Sequence, residues 1–150
     1  MNNLTQTTFT LGLTGFYCGI PHFQPDSKND NIECETVVTI TSCSDVTPNN
    51  EVVFKNAVAQ QPVSVAIEAD TKEFQLYTSG VITSSACGTN LDHGVLVAGY
   101  GTLDGTPFWL VKNSWSTTWG DEGYVRIERS DSTNDAGICG IAMQPSYPVV

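Results

Sequence analysis

The segment LDHGVLVAGYGTLDGTPFWLVKNSW, residues 91–115, holds the strongest structural signal in the chain. An apolar run follows His93, and a second strand-like run ends at Asn113. Between them lies Asp104-Gly105, a dipeptide that favours the tight turn of a β-hairpin. The segment therefore predicts two antiparallel strands, with His93 at the start of one and Asn113 at the end of the other. The unbroken apolar run 94–101 also predicts that the first strand is buried on both faces.

His93 and Asn113 are suited to form a hydrogen-bonded pair. An amide oxygen that accepts from an imidazole N–H fixes the orientation and tautomer of the ring without burying a counter-charge beside it. Trp115 and Trp119 follow closely enough to cover that bond. Each of the four alone has a structural explanation, since single histidines and tryptophans commonly belong to a core. Together, at this spacing, they indicate the base and orienting members of a nucleophilic triad.

Composition limits the classes of partner. The chain has 150 residues, of which 40% are hydrophobic, enough for one domain with a core. Its formal net charge of −10 repels nucleic acid and anionic lipid, so neither nucleic acid nor a membrane is predicted as a partner. No segment approaches the roughly 18 apolar residues of a membrane span.

The cysteines favour disulfides over metal binding. There are five, at positions Cys18, Cys34, Cys43, Cys87 and Cys139, and no two are spaced as CxxC. A zinc or thioredoxin-type site is therefore not expected, and no cofactor or metal is predicted. This number of cysteines suggests an oxidising compartment. Because five is odd, at least one cysteine is free or bonded to another chain.

The coarse secondary structure predicts an α+β, mainly β fold. Residues 1–35 are predicted to be irregular or poorly ordered, and their start makes no convincing signal peptide. Residues 36–150 predict an antiparallel sheet or barrel with two short helices, one near residues 50–60 that begins at an asparagine cap and one near residues 70–77. In 123–129 the alternation predicts Val125 and Ile127 inward and Arg126 and Arg129 outward. Segment 145–150 predicts an edge strand, where prolines are tolerated.

Four stretches carry a family resemblance: NNEVVFKNAVAQQPVSVAIEA, LDHGVLVAGYG, FWLVKNSWSTTWGDEGYVRI and CGIAMQPSYP. Together they resemble the papain-like cysteine proteases, particularly the plant-type and cathepsin L-like branch, over about residues 36–150. The resemblance implies the β-rich, right-hand domain of a thiol protease that hydrolyses peptides or proteins. It also implies a lysosomal, vacuolar or secreted location.

By this resemblance, His93 is the general base, Asn113 orients it and Trp115 shields their contact. The resemblance also implies a disulfide between Cys87 and Cys139. In the chain-entropy model, closing a loop of about 50 residues contributes on the order of 4 kcal/mol.

The resemblance further implies a set of substrate-binding residues. Trp119 would form the leaving-group side of the cleft, and Asp92 precedes the base as in many members. Ala66, Gly94 and Gln144 would form a pocket for a bulky hydrophobic side chain.

The nucleophile of the family is not found in these 150 residues. The family carries it in a CGSCW motif about 130–150 residues before the histidine. Cys18 stands at about half that distance, followed by Gly19-Ile20-Pro21, which cannot continue as the helix that the nucleophile needs. Cys34 lies where the family has a cysteine bonded to the absent half, so it is predicted to be orphaned or paired with Cys43 or Cys18.

These observations leave three functions open. The first is the C-terminal portion of a papain-like endopeptidase that needs the N-terminal half, in cis or in trans, and is inactive alone. The second is a catalytically dead relative that acts as a binding or inhibitory module. The third is a secreted acidic β domain with a structural histidine. Intact His93, Asn113 and Trp115 favour the first, because a dead module has no need of all three.

Overall fold

The computed structural model describes residues 40–83 and 87–150. Six strands form one antiparallel sheet in the order β1-β6-β2-β3-β4-β5. The strands are β1 (Ser42–Asp45), β2 (Val63–Ile67), β3 (His93–Leu103), β4 (Thr106–Lys112), β5 (Tyr124–Glu128) and β6 (Ser146–Val149). The helices are α1 (Glu51–Val58), α2 (Lys72–Gln75) and a 3-10 helix (Ile138–Gly140). The predicted mainly β fold with two short helices is confirmed, whereas the predicted irregular segment 1–35 lies outside the described residues.

The β3–β4 hairpin has the predicted turn. Leu103 pairs with Thr106, which leaves Asp104 and Gly105 as a two-residue connection. Both have positive φ, 50° and 86°, as the tight hairpin turn requires. The turn therefore fixes the register of the two strands that carry His93 and Asn113.

Strand β3 is buried on one face only, so the prediction of burial on both faces is wrong. Val95 and Val97 are buried, whereas Ala98 is exposed. A register shift between Val97 and Gly99 places Ala98 in a β-bulge. The run is continuously apolar because its outward positions hold small residues and one leucine, and the helices cover only the inner face.

Strand β6 lies inside the sheet, so its prediction as an edge strand is also wrong. It pairs with β1 along its whole length but with β2 only at Ser64↔Ser146. Beyond that point, the side chain of Gln61 donates to the carbonyl oxygen of Pro148 at 3.1 Å. Proline is tolerated here because most of β6 has a strand on one side only.

Helix α1 begins at the predicted asparagine cap. Asn50 Oδ1 accepts from the amide of Val53 at 3.0 Å. The helix packs Phe54 and Val58 into the core, and Phe54 lies against Trp109 of β4 with ring centroids 4.4 Å apart. None of the helices in the described part of the chain has the length and apolar character that a membrane crossing demands.

Arg129 is buried, which corrects its predicted outward orientation. It follows β5 in the same alternation phase as Val125 and Ile127, and it is 6% exposed. Its guanidinium lies 5.6 Å from the ring centroid of Trp109 and donates a hydrogen bond to the carboxylate of Asp131. That hydrogen bond holds the pKa of Asp131 below its ordinary value, against the opposing effect of partial burial. The pair therefore adds stability that is lost as the pH falls through the lowered pKa of Asp131.

A fully buried carboxylate joins α1 to the sheet. Glu51, the first residue of α1, is 0% exposed. It accepts from Trp109 Nε1 at 3.3 Å and from the amide and hydroxyl of Ser130 at 2.5 and 2.6 Å. These hydrogen bonds offset the cost of burying the carboxylate and hold α1 against β4.

We expect Glu51→Ala to lower the free energy of unfolding by about 3 kcal/mol, because three donors, one of them on the fully buried Trp109, lose their acceptor. Urea denaturation measures this loss. Glu73→Ala is the matched control, since Glu73 lies exposed in the first turn of α2, and its effect should stay within about 0.5 kcal/mol. Equal losses in the two variants would show that the Glu51 network contributes no more than a surface carboxylate.

Candidate active site

The hairpin register places the predicted residues on one face. Val97 pairs with Val111, and the same register continued past the end of β4 places Trp115 opposite His93. Alternate residues of a strand share a face. The side chains of one face are therefore those of His93, Val97, Val111, Asn113 and Trp115. His93 is the first residue of β3, and Asn113 directly follows the last residue of β4.

His93 and Asn113 form the predicted pair. His93 Nε2 lies 2.8 Å from Asn113 Oδ1, and the amide of Ser114 donates to the same oxygen at 2.7 Å. A backbone N–H can only donate, so this side-chain atom must be the amide oxygen. The imidazole must therefore donate from Nε2. Since Nε2–H is committed to Asn113, Nδ1 is the nitrogen left for a second partner.

Asn113 is held from several sides. It is 5% exposed, and its own amide donates to the carbonyl oxygen of Gly123 at 2.9 Å. Its side-chain Nδ2 is buried without a hydrogen-bond partner among residues 40–83 and 87–150. The orientation of the side chain is therefore set by its oxygen, which carries both of the contacts described above.

An aromatic cluster surrounds the imidazole. The ring of Trp115 lies 5.1 Å from that of His93 at an interplanar angle of 31°. Its predicted role as a shield of the pair stays a prediction. Trp119 packs against Trp115 with ring centroids 5.2 Å apart. Phe74 of α2, which is fully buried, lies 5.5 Å from Trp115 and 6.4 Å from His93.

Sequence reasoning missed Phe74 as a neighbour of the site. It lies 19 positions before His93 in the chain, and nothing local indicates that α2 folds back onto the hairpin. The available signal was the spacing of Phe74 and Tyr77, which places two aromatic rings on one helical face. Both are buried, and both pack against Trp119.

Asp92 binds the backbone beside the site. Its carboxylate accepts from the amide of Ala69 at 2.8 Å, and its own amide donates to the carbonyl oxygen of Ile67 at 3.0 Å. These bonds fix the segment immediately before His93 to the end of β2. The predicted role of Asp92 in substrate binding stays a prediction.

Two of the three residues predicted to form the substrate pocket are neighbours in the sheet. Ala66 of β2 is buried and pairs directly with Gly94 of β3, next to His93. Gln144 is exposed, on the segment between the 3-10 helix and β6. The substrate-binding roles of these residues and of Trp119 stay predictions. In the described part of the chain, no three His, Cys, Asp or Glu side chains come together as a metal site.

The predicted disulfide between Cys87 and Cys139 is present. Their sulfurs are 2.05 Å apart and their α-carbons 4.6 Å apart, within the usual range for a disulfide. Cys43 is also disulfide-bonded. Cys34, for which the sequence offered Cys43 or Cys18 as a partner, lies outside the described residues, as does Cys18 with the question of a Cys18 nucleophile.

Comparison with known proteins decides the family. The sequence profile described as "Papain family cysteine protease" matches residues 15–149. The chain belongs to the papain family of cysteine proteases. The match begins before residue 36, so the likeness to the papain family extends further toward the N-terminus than the sequence motifs indicated.

Two curated relatives with high identity are plant proteins. The chain is 54% identical over 113 residues to cysteine endopeptidase RepA of Oryza sativa subsp. japonica, covering 75% of this chain and 30% of that protein. It is 54% identical over 129 residues to the oryzain beta chain of the same plant, covering 85% of this chain and 27% of that protein. The chain thus spans about a quarter to a third of the length of these relatives.

Solved papain-family structures share the fold. Bromelain protease from Ananas comosus, in complex with the E64 inhibitor, matches with a TM-score of 0.69 and 45% identity. The match covers 74% of this chain and 51% of the bromelain chain. The proform of the ragweed pollen allergen Amb a 11, a cysteine protease, matches with a TM-score of 0.72 and 39% identity. That match covers 77% of this chain and 35% of the allergen chain.

The loop after Trp115 departs from the usual NSWG motif of the family. Ser116 replaces the glycine and has a φ of 77°, a conformation that costs a residue with a Cβ about 1 kcal/mol or more. Its hydroxyl accepts from the amide of Thr118 at 3.3 Å. This hydrogen bond offsets part of the strain, as serine and asparagine side chains commonly do in turns.

We expect Ser116→Val to lower the free energy of unfolding by about 2 kcal/mol, because a β-branched residue fits positive φ poorly. Ser116→Gly should stay within about 0.5 kcal/mol, because the relieved strain and the lost hydroxyl contact oppose each other. Ser114→Val, two residues earlier and without positive φ, serves as the control in the same denaturation experiment. If the two valine variants lose equal stability, the backbone at Ser116 is not strained.

Proposed function

We propose that this chain supplies the general base His93 and the orienting amide Asn113 for thiol-dependent hydrolysis of peptide bonds. The nucleophilic thiol comes from a papain-type helical half, joined in the same polypeptide or bound as a separate chain. One observation carries the proposal: Asn113 Oδ1 accepts from both Ser114 and His93, which directs Nε2 away from the cleft and leaves Nδ1 for the thiol.

The tautomer of His93 suits this chemistry. Nδ1 takes the proton of the cysteine thiol, which becomes a thiolate beside an imidazolium ion. The thiolate attacks the carbonyl carbon of the peptide, and Nδ1–H then gives its proton to the amine as the C–N bond breaks. Water, deprotonated by the same nitrogen, then attacks the carbonyl carbon of the resulting thioester. The S–C bond breaks, the acyl group leaves as a carboxylic acid, and the thiolate and imidazolium are restored. Asn113 remains neutral, so its hydrogen bond holds both forms of the ring.

The aromatic cluster supports the same role. Trp115 covers the side of the His93–Asn113 pair, and exclusion of water strengthens a hydrogen bond of this kind. Trp115 nevertheless keeps 36% of its surface exposed, and Leu76 at the end of α2 keeps 75%. Exposed apolar side chains beside a site are characteristic of a surface that a partner covers, which suits docking of the helical half here.

The relatives support the substrate class. RepA is named a cysteine endopeptidase, and the bromelain structure is a protease bound to an inhibitor. A pocket lined by Ala66 and Gly94, with Gln144 at its base, would favour a hydrophobic side chain of the peptide. The disulfides suit a vacuolar, lysosomal or secreted location, where such bonds persist.

Reconstitution tests the proposal. The chain is mixed with a papain-type helical half that carries an intact thiol, and hydrolysis of a fluorogenic peptide with a hydrophobic residue is followed. We expect activity only from the mixture. In the mixture, His93→Ala should lower kcat/KM by about 1,000-fold, as loss of a general base does. Asn113→Ala should lower it about 10- to 100-fold, the range expected from losing one buried hydrogen bond to a charged ring.

Asn56→Ala is the matched control, because Asn56 is exposed on α1 and belongs to neither the His93–Asn113 pair nor the aromatic cluster. It should leave kcat/KM unchanged. Tight binding of the helical half without hydrolysis would favour the alternative of a catalytically dead binding or inhibitory module. Hydrolysis by the chain alone, abolished in Cys18→Ala, would place the nucleophile within this sequence and overturn the proposal.

A further inference from the structure

The loop before strand β3 is wrapped around a carboxylate. Glu68, the residue that follows β2, accepts from the amide of Asn90 through Oε2 at 2.5 Å. A Cβ added at Gly88 would lie 2.7 Å from that same oxygen and 3.1 Å from Oε1. The close approach of the carboxylate therefore requires a glycine in the loop. The backbone of residues 88–90 thus passes around the end of one side chain.

Glu68 is itself anchored. Its amide donates to the carbonyl oxygen of Cys139 at 2.9 Å. Cys139 is disulfide-bonded to Cys87, the residue just before the loop. The carboxylate therefore extends from a backbone that other bonds hold in place.

The loop carries Leu91 to the predicted substrate pocket. Leu91 directly follows Asn90. A Cβ added at Gly140 would lie 2.7 Å from Leu91 Cδ2 and 3.0 Å from Met143 Sδ. The side chains of Leu91 and Met143 therefore both pack against Gly140. Gln144, predicted at the base of the pocket, is the next residue after Met143.

We infer that Glu68 is a positioning residue that sets the selectivity of this pocket for hydrophobic side chains, an inference that rests on the proposed function. Its carboxylate fixes the amide of Asn90, which holds Leu91 against the segment that leads to Gln144. Glu68 acts through the loop and not through contact with the substrate. Without the carboxylate, Leu91 no longer forms a fixed wall. A bulky side chain of the peptide then loses packing contacts that a small side chain never made.

Asp92 separates this role from the chemistry at His93. The carboxylate of Asp92 accepts from the amide of Ala69, and its own amide donates to the carbonyl oxygen of Ile67. The residue immediately before His93 is therefore fixed by bonds that do not involve the Glu68 side chain. Loss of that side chain should affect binding of the peptide and leave the proton transfers unchanged.

Amide hydrogen exchange tests the loop without the thiol. Asn90 is an exposed residue, so in the 150-residue chain the protection of its amide depends on the bond to Glu68. In Glu68→Ala we expect this amide to exchange at least about tenfold faster, the size expected from losing a hydrogen bond to a charged acceptor. Glu68→Gln should keep most of the protection, because its side-chain oxygen still accepts. The amide of Ala69, bonded to Asp92, is the internal control and should exchange at the wild-type rate.

Selectivity is measured in the mixture with the helical half. Two fluorogenic peptides differ only in the residue that enters the pocket, which is leucine in one and alanine in the other. In Glu68→Ala we expect the ratio of kcat/KM for leucine over alanine to fall at least about fivefold, within the range by which hydrophobic pockets discriminate side-chain size. The loss should arise in KM, with kcat within about twofold of wild type. Glu68→Gln should restore the ratio.

Two further variants complete the design. Glu73→Ala removes an exposed carboxylate on α2 and should change neither readout. Gly88→Ala keeps Glu68 but displaces its carboxylate, since the added Cβ takes up the space of that group. It should reproduce both effects and add little to them when combined with Glu68→Ala. If Glu68→Ala fails to fold, Gly88→Ala makes the same test.

The outcomes are distinct. Faster exchange at Asn90 together with a lower leucine-to-alanine ratio supports the positioning role. Unchanged exchange in Glu68→Ala overturns it. Faster exchange with an unchanged ratio, or with kcat lowered equally for both peptides, overturns the role in selectivity. A wild-type mixture without activity overturns the proposed function, and the role in selectivity with it, whereas the exchange rates still decide whether Glu68 holds the loop.

Discussion

One oxygen atom sets the chemistry of the site. Asn113 Oδ1 accepts from a backbone amide that can only donate, and this fixes which end of the side-chain amide faces His93. The imidazole must then donate from Nε2, and its other nitrogen becomes the basic one. A carboxylate at this position would also accept two hydrogen bonds, but it would add a charge to a residue that is 5% exposed. The amide of Asn113 therefore orients the imidazole at a lower desolvation cost than a carboxylate would.

The rest of the domain holds that oxygen and that ring in register. The two-residue turn at Asp104-Gly105 aligns β3 with β4, and the Asp92 carboxylate fixes the chain just before His93. Glu51 fastens α1 to the outer part of β4 through Trp109. Helix α2 contributes the aromatic ring of Phe74 from a segment that is distant in sequence. The turn, the buried hydrogen bonds and the contact of Phe74 therefore all support the hairpin that carries His93 and Asn113.

Local signals in the sequence predicted much of this arrangement. Contacts between segments that are distant in the sequence were not predicted. The Asp-Gly turn and the Asn50 cap were readable because each depends on a few adjacent residues. Burial of Arg129 follows from counting alternate residues beyond Ile127, but its charge suggested the opposite face. The contact of Phe74 with His93 depends on how α2 folds onto the hairpin, which no local pattern encodes. The interior position of β6 was hidden by Pro148 and by Pro145 just before the strand. Pro148 is tolerated because β2 pairs with only one residue of β6.

The disulfide between Cys87 and Cys139 has a consequence for a domain exposed to proteases. The bond closes residues 87–139 into a covalent ring. That ring includes His93, Asn113, Trp115 and Trp119. A backbone cut anywhere in that ring would leave both new ends attached through the sulfur atoms. Nicked and intact chains would then have the same mass, apart from one added water, until a reductant separates the pieces. The ring thus makes the site tolerant of a single cleavage in an oxidising compartment and vulnerable to it in a reducing one.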